Sequence, residues 1–135
     1  MNMPELKIAA GVTIPQIGLG LWQVTNPEEF RTAFDAAVAA GYRHFDSAQI
    51  YRNEQLLGEA WHSSGLPREE FFLTTKIHIG QFGTRKTPKS FEVSLQKLQT
   101  DYVDLLLLHF PVTIARKKAW TELEKLKAEI GRAHV

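Results

Sequence analysis

Val103-Asp104-Leu105-Leu106-Leu107-Leu108 is an almost unbroken apolar run that ends in His109-Phe110-Pro111. A segment this short and this apolar reads as a parallel strand covered on both faces. Upstream, Phe71–Lys76 is a similar strand, followed by a Gly-containing loop and then Thr87-Pro88, a cap-plus-proline helix start. Phe91, Leu95 and Leu98 mark the buried face of that helix. Tyr42–Asp46 precedes it as a further strand. Its helix runs from about Asn53 to Ser64, puts Leu56, Leu57, Ala60 and Trp61 on one face, and is stopped by Gly65 and Pro67.

Ile17-Gly18-Leu19-Gly20 is a short apolar segment ahead of these. Asn26-Pro27-Glu28-Glu29 then opens a helix: Asn26 caps, Pro27 fits the first turn and the two acids suit the dipole. Phe30, Ala33, Phe34, Ala37 and Val38 recur at helical spacing until Gly41. Downstream of the apolar run, a helix over roughly Arg116–Ala128 turns Ala119, Trp120, Leu123 and Leu126 inward. Leu6–Ala9 and Val12–Ile14 flank Ala10-Gly11 as a small hairpin at the front. The unit is β-α repeated four times, with no linker or low-complexity segment between copies.

Such alternation means a parallel sheet, either open and doubly wound or closed into a barrel. The open dinucleotide-binding fold carries G-x-G-x-x-G after its first strand. Here Gly18-Leu19-Gly20-Leu21-Trp22-Gln23 lacks the third glycine and puts a bulky Trp in the turn. The barrel is the better reading.

Polar residues stand at successive strand ends: Asp46, Lys76 and His109, with Tyr51 five residues after Asp46. In a βα-barrel those ends converge on one face, where active sites are built. The four residue types suit carbonyl reduction. Adding hydride to a carbonyl leaves an alkoxide-like oxygen that needs a proton. A phenol, with an ordinary pKa of about 10, holds a proton at neutral pH and can give it up. A neighbouring ammonium eases that transfer, a carboxylate holds the ammonium charged and aimed, and an imidazole orients the carbonyl oxygen. No side chain supplies hydride, so a cofactor is required.

The chain resembles the aldo-keto reductases. Gly41-Tyr42-Arg43-His44-Phe45-Asp46-Ser47-Ala48, then Tyr51, Asn53-Glu54 and Leu57-Gly58, matches that family's long N-terminal signature. Thr74-Thr75-Lys76 matches the segment bearing the family lysine. Asp101-Tyr102-Val103-Asp104-Leu105 through His109-Phe110-Pro111 matches its fourth-strand block. The resemblance runs from about Leu6 to Ala128 and implies a (β/α)8 TIM barrel, here truncated to about its first four βα units with an N-terminal hairpin. It implies NADPH as cofactor, with Tyr51 as proton donor, Lys76 and Asp46 as its tuning pair and His109 as the substrate-orienting residue. It sets Gly20, Leu21, Trp22 and Asp46 against the cofactor. It sets Trp22, Tyr51, His78, His109 and Phe110 around the substrate; many members carry Trp where this chain has His78 and Phe110. Details such as Asn53-Glu54 and Ser47-Ala48 are similar to the compact bacterial members, which reduce small sugar ketones and 2-oxoaldehydes such as methylglyoxal. A non-enzymatic binding or regulatory protein on the same fold is the alternative, as is a half-barrel that closes with a second copy.

Composition is that of an ordinary globular domain. Of 135 residues 44% are hydrophobic and 23% charged, and sixteen Lys and Arg against fifteen Asp and Glu leave a formal charge of +1. No basic stripe suggests nucleic acid or a membrane surface. The absence of cysteine removes disulfides and thiolate chemistry and suits the cytoplasm. The five histidines show no metal-ligand spacing, so no metal site is expected. Met1–Lys7 has no apolar signal core, and no apolar run reaches membrane-spanning length. The whole protein is expected to be a monomer acting on a small carbonyl compound. A barrel of this kind usually takes about 250 residues, so residues 1–128 are expected to be its N-terminal half. Glu129-Ile130-Gly131-Arg132-Ala133-His134-Val135 reads as a translated short-read sequencing adaptor, hence as a non-native tail at 129–135.

Overall fold

The structure, a computed structural model, describes residues 3–130. It opens with an antiparallel hairpin, β1 (Glu5–Ala9) and β2 (Val12–Pro15), turned at Gly11 with φ +73°. Then come β3 (Gly18–Gly20), α1 (Pro27–Ala39), β4 (His44–Asp46), α2 (Glu54–Ser63), β5 (Phe72–Ile77), α3 (Lys86–Leu98), β6 (Leu105–Leu108) and α4 (Arg116–Ile130). The parallel sheet has the order β3-β4-β5-β6, so each strand lies beside its predecessor, the succession from which a βα-barrel is built.

Alternation along the strands separates two faces. Leu19, Phe45 and Leu73 are paired across the sheet and join Phe34, Leu57, Phe91, Leu98, Leu106 and Leu123 in one core under the helices. Each fully buried Leu or Phe there contributes about 1.5–3 kcal/mol. The intervening residues Gly20, Asp46, Thr74 and Leu105 are also paired across the sheet and form a layer of the opposite face. On that same face, one layer toward the strand starts, the His44 ring nitrogen lies 3.0 Å from Thr74 Oγ1, and burial pushes the pKa of His44 down.

Local signals explain most boundaries. Asn26 Oδ1 accepts the amides of Glu28 and Glu29 at 2.9 and 3.1 Å, and Gly41 leaves α1 at φ +93°. Gly58 lets α2 approach α3 closely: a methyl group there would stand 2.2 Å from the Lys97 carbonyl oxygen. Beside it the Trp61 indole donates to Leu98 O at 2.7 Å. At the strand starts, Arg68 donates to Phe71 O, Tyr102 O and the Asp104 carboxylate, joining the entries of β5 and β6.

Three expectations are corrected. Thr87 does not cap α3, which begins at Lys86; its hydroxyl instead donates to Gln81 O and accepts from Gly83 N, and Pro88 sits in the first turn. Trp120 does not face inward. Ala119, Leu123 and Leu126 complete a helical stripe without it, and it stays 45% exposed. Finally, β6 is not covered on both faces, since Leu105, Leu107 and Leu108 are only half-buried. Helix α4 extends through Ile130; the rest of the expected tail, 131–135, lies outside the described residues.

Candidate active site

The strand ends bring Asp46, Tyr51, Lys76 and His109 together. Lys76 Nζ is the hub. It pairs with the Asp46 carboxylate, donates to Ser47 O at 3.0 Å and lies 3.3 Å from Tyr51 Oη. It also stands 4.8 Å from the centre of the Tyr51 ring. The Lys76 side chain is 13% exposed and that of Asp46 32%, so the pair is shielded but still reached by solvent. The sequence arranges this simply. Asp46 and Lys76 share one face of adjacent strands, and a 3₁₀ turn over Gln49–Tyr51 folds the phenol back over the strand ends.

His109 follows β6, with its amide bonded to Ile77 O at 3.0 Å. Its ring meets the Tyr51 ring edge-on at 5.7 Å and stacks on Phe110 at 4.3 Å. Burial first, then the charge of Lys76, pushes its pKa down, so the ring is neutral around pH 7 and offers an N–H rather than a charge. Its Nδ1 is buried with no hydrogen-bond partner among the described residues. Phe110 is 52% exposed and holds φ +72°, an uncommon conformation for a residue with a side chain.

The remaining expected residues stand further out. Gly20 pairs with Asp46, and a side chain at Gly20 would meet no atom within 4 Å, so open space lies over it. Leu21 is fully buried and donates its amide to Asp46 O; it presents no side chain to the rim. Trp22 is 67% exposed and belongs to no core. His78 Nδ1 accepts the Gly80 amide at 3.2 Å.

Asn53, in sequence a helix start and part of the matched signature, also organises the rim. Its buried amide donates to Leu21 O at 2.7 Å and Val24 O at 3.0 Å, and its Oδ1 accepts from Ser47 Oγ at 2.7 Å. It therefore fastens the loop carrying Trp22 to the segment beside Lys76. Its side chain makes no capping bond to α2, and that is the trace such a diversion leaves.

The open space over Gly20, beside an ionisable carboxylate and an exposed Trp, fits a flat, hydroxyl-bearing group such as a nicotinamide riboside. Among the described residues no cluster of three His, Asp or Glu could hold a metal ion, and no helix is long and apolar enough to cross a membrane.

Comparison with known proteins identifies the family and the fold. Residues 16–131 match the Aldo/keto reductase family. An aldo-keto reductase of Mycolicibacterium smegmatis is 47% identical over 109 residues, which is 81% of this chain and 39% of that protein. The glyoxal reductase of Bacillus subtilis is 42% identical, over 90% of this chain and 44% of the relative. A crystal structure of an aldo/keto reductase from Brucella melitensis superposes with a TM-score of 0.89 at 44% identity, covering 98% of this chain and 52% of that one. The Bombyx mori aldo-keto reductase in complex with NADP gives 0.87 at 30% identity, covering 98% and 49%. The chain thus spans about two-fifths to one-half the length of the proteins it matches.

Proposed function

The chain belongs to the aldo/keto reductase family, and on that premise we propose that the whole protein reduces aldehydes and ketones to alcohols with NADPH. Small 2-oxoaldehydes and sugar ketones are the substrates this reading favours, because the related Bacillus protein is a glyoxal reductase and the Escherichia coli relative a methylglyoxal reductase. The protein is read as a cytoplasmic monomer. Residues 1–128 make the first half of its barrel and are inactive alone, because a parallel sheet of four strands leaves β6 an unpaired edge and half the rim unbuilt.

The single observation that carries the proposal is the Lys76 ammonium in simultaneous reach of Asp46, Ser47 O and Tyr51 Oη. NADPH, when bound, supplies the hydride; this chain's residues supply the proton and the charge. Tyr51 Oη gives its proton to the carbonyl oxygen as that oxygen becomes a hydroxyl. Lys76 lowers the cost of the transient phenolate, and Asp46 keeps Lys76 ionised and aimed. Neutral His109 donates an N–H to the same oxygen and sets its direction. Gly20 and Asp46 would hold the nicotinamide riboside, with Leu21 seating the loop. Trp22, Phe110 and His78 would line the carbonyl compound's entry. The test is NADPH consumption by the full-length protein with methylglyoxal, with the alcohol product identified. Turnover is expected there and none from residues 1–128. Tight NADPH binding without turnover of any carbonyl compound would replace the enzyme reading with a binding one.

A further inference from the structure

Two polar side chains near Tyr51 face away from the reacting groups. Gln49 opens the 3₁₀ turn that carries Tyr51. Its Oε1 accepts the His78 amide at 2.8 Å, and its Nε2 donates to Ser90 O at 3.2 Å and Ser94 Oγ at 3.1 Å. Glu54 opens α2 three residues after Tyr51 and is 2% exposed. Its Oε1 accepts from Thr75 Oγ1 at 2.6 Å and its Oε2 from Ser94 Oγ at 3.3 Å. Both bridges land on β5 or its end, at Thr75 immediately before Lys76 and at His78 two residues after it. The Ser94 hydroxyl links the two bridges into one network.

We infer that Gln49 and Glu54 are positioning residues, paired struts that fix the spacing between the turn bearing Tyr51 and the strand bearing Lys76. The inference rests on the proposed roles of those two residues. The reacting face holds the pair together by one contact of 3.3 Å, near the outer limit of a hydrogen bond. A slip of about 1 Å would break it, and such misplacement costs a reaction up to about a hundredfold. The struts resist that slip from the opposite face of β5, one on each side of the lysine. A network serving stability alone would do as well with apolar groups of the same shape, since a buried carboxyl is expensive to desolvate. Burial raises the pKa of Glu54, which favours its neutral acid, and an amide of the same shape would accept from Thr75 and donate to Ser94 Oγ, whose own proton then goes to Ser90 O.

The test compares Gln49→Met, Glu54→Met, Glu54→Gln and Thr75→Val in the full-length protein, with Tyr51→Phe beside them. Readouts are kcat per cofactor-binding site, KM for methylglyoxal and melting temperature. Both Met variants are expected to lose about ten- to a hundredfold in kcat per site with KM within about twofold, and Glu54→Gln is expected to restore kcat. Thr75→Val breaks the Glu54 strut from its other end and stands in if Glu54→Met does not fold. A purely structural network would lower the fraction of sites and the melting temperature while leaving kcat per site at the wild-type value. That result, or Glu54→Gln as slow as Glu54→Met, overturns the inference. If Tyr51→Phe keeps its turnover, the proposed reaction roles themselves fall, and the struts with them.

Discussion

Strand β5 buries five of its six residues, whereas β6, the most apolar strand of the sheet, buries Leu106 but leaves its other three leucines only half-covered. The difference lies in neighbours rather than residue type. β5 is flanked by strands on both sides and roofed by helices. Among the described residues β6 has one strand beside it, and along its other margin Leu107, Leu108, Phe110, Pro111 and Trp120 line an open groove of about 650 Å³. The site divides along the same seam. Lys76, Asp46 and Tyr51 hold one another on the enclosed side, while His109 keeps a bare Nδ1 and leans on an exposed Phe110 on the other. Polar satisfaction follows neighbours rather than burial here: His109 Nδ1 is buried, yet it has no partner among the described residues.

The largest effect should come from the enclosed side of the site. Tyr51→Phe keeps the ring and removes only the hydroxyl, so carbonyl reduction by the full-length protein should fall by about 10²–10⁴-fold with NADPH affinity nearly unchanged. Steady-state kinetics beside a fluorescence titration decide it; comparable losses in both would mean that the hydroxyl serves cofactor binding rather than proton donation. Next comes a matched pair of truncations. Phe45→Ala opens a cavity among Phe34, Phe71 and Leu73 and should destabilise the fold by about 3–5 kcal/mol. Trp120→Ala, on the half-open side, should cost less than about 1 kcal/mol in this chain. Urea melts of the two variants test the contrast, and equal losses would abolish it.

The smallest effect is a dependence on pH with opposite signs at two buried groups. Burial lowers His44 from its ordinary 6.5, so its contribution is complete above about that pH and is lost as pH falls through its folded value. Burial raises Glu54 from its ordinary 4.5, so its contribution is complete below that pH and is lost as pH rises through its folded value. Glu54→Gln should therefore raise the melting temperature by a few degrees near neutrality and leave it unchanged near pH 4. Thermal melts across that range would show the two curves converging on the acid side; parallel curves would mean that Glu54 does not titrate in the fold.

Much of this was readable from residues alone, for a physical reason. The apolar periodicities, Asn26-Pro27 and Gly41 fix strands and helices locally, and the convergence of parallel strand ends then brings Asp46, Lys76 and His109 together. What escaped depends on direction rather than spacing. Trp120 neighbours Ala119 in sequence but is turned about 100° from it on a helix, so an inward stripe through Ala119 leaves Trp120 outside. No local pattern singles out Gln49 or Arg68, and Asn53 reads as a helix start, so only the fold reveals which backbone groups each must satisfy.

Asn53 has a consequence for the order in which the chain can acquire its shape. Residues 21–24 emerge during synthesis well before the amide that ties down Leu21 and Val24, and their own α1 does not replace it. The Trp22 loop must therefore wait, open, until the second βα unit has followed and turned back. The first repeat of this protein is finished by the second, so a cut between them would yield two pieces rather than one small working unit and a remainder.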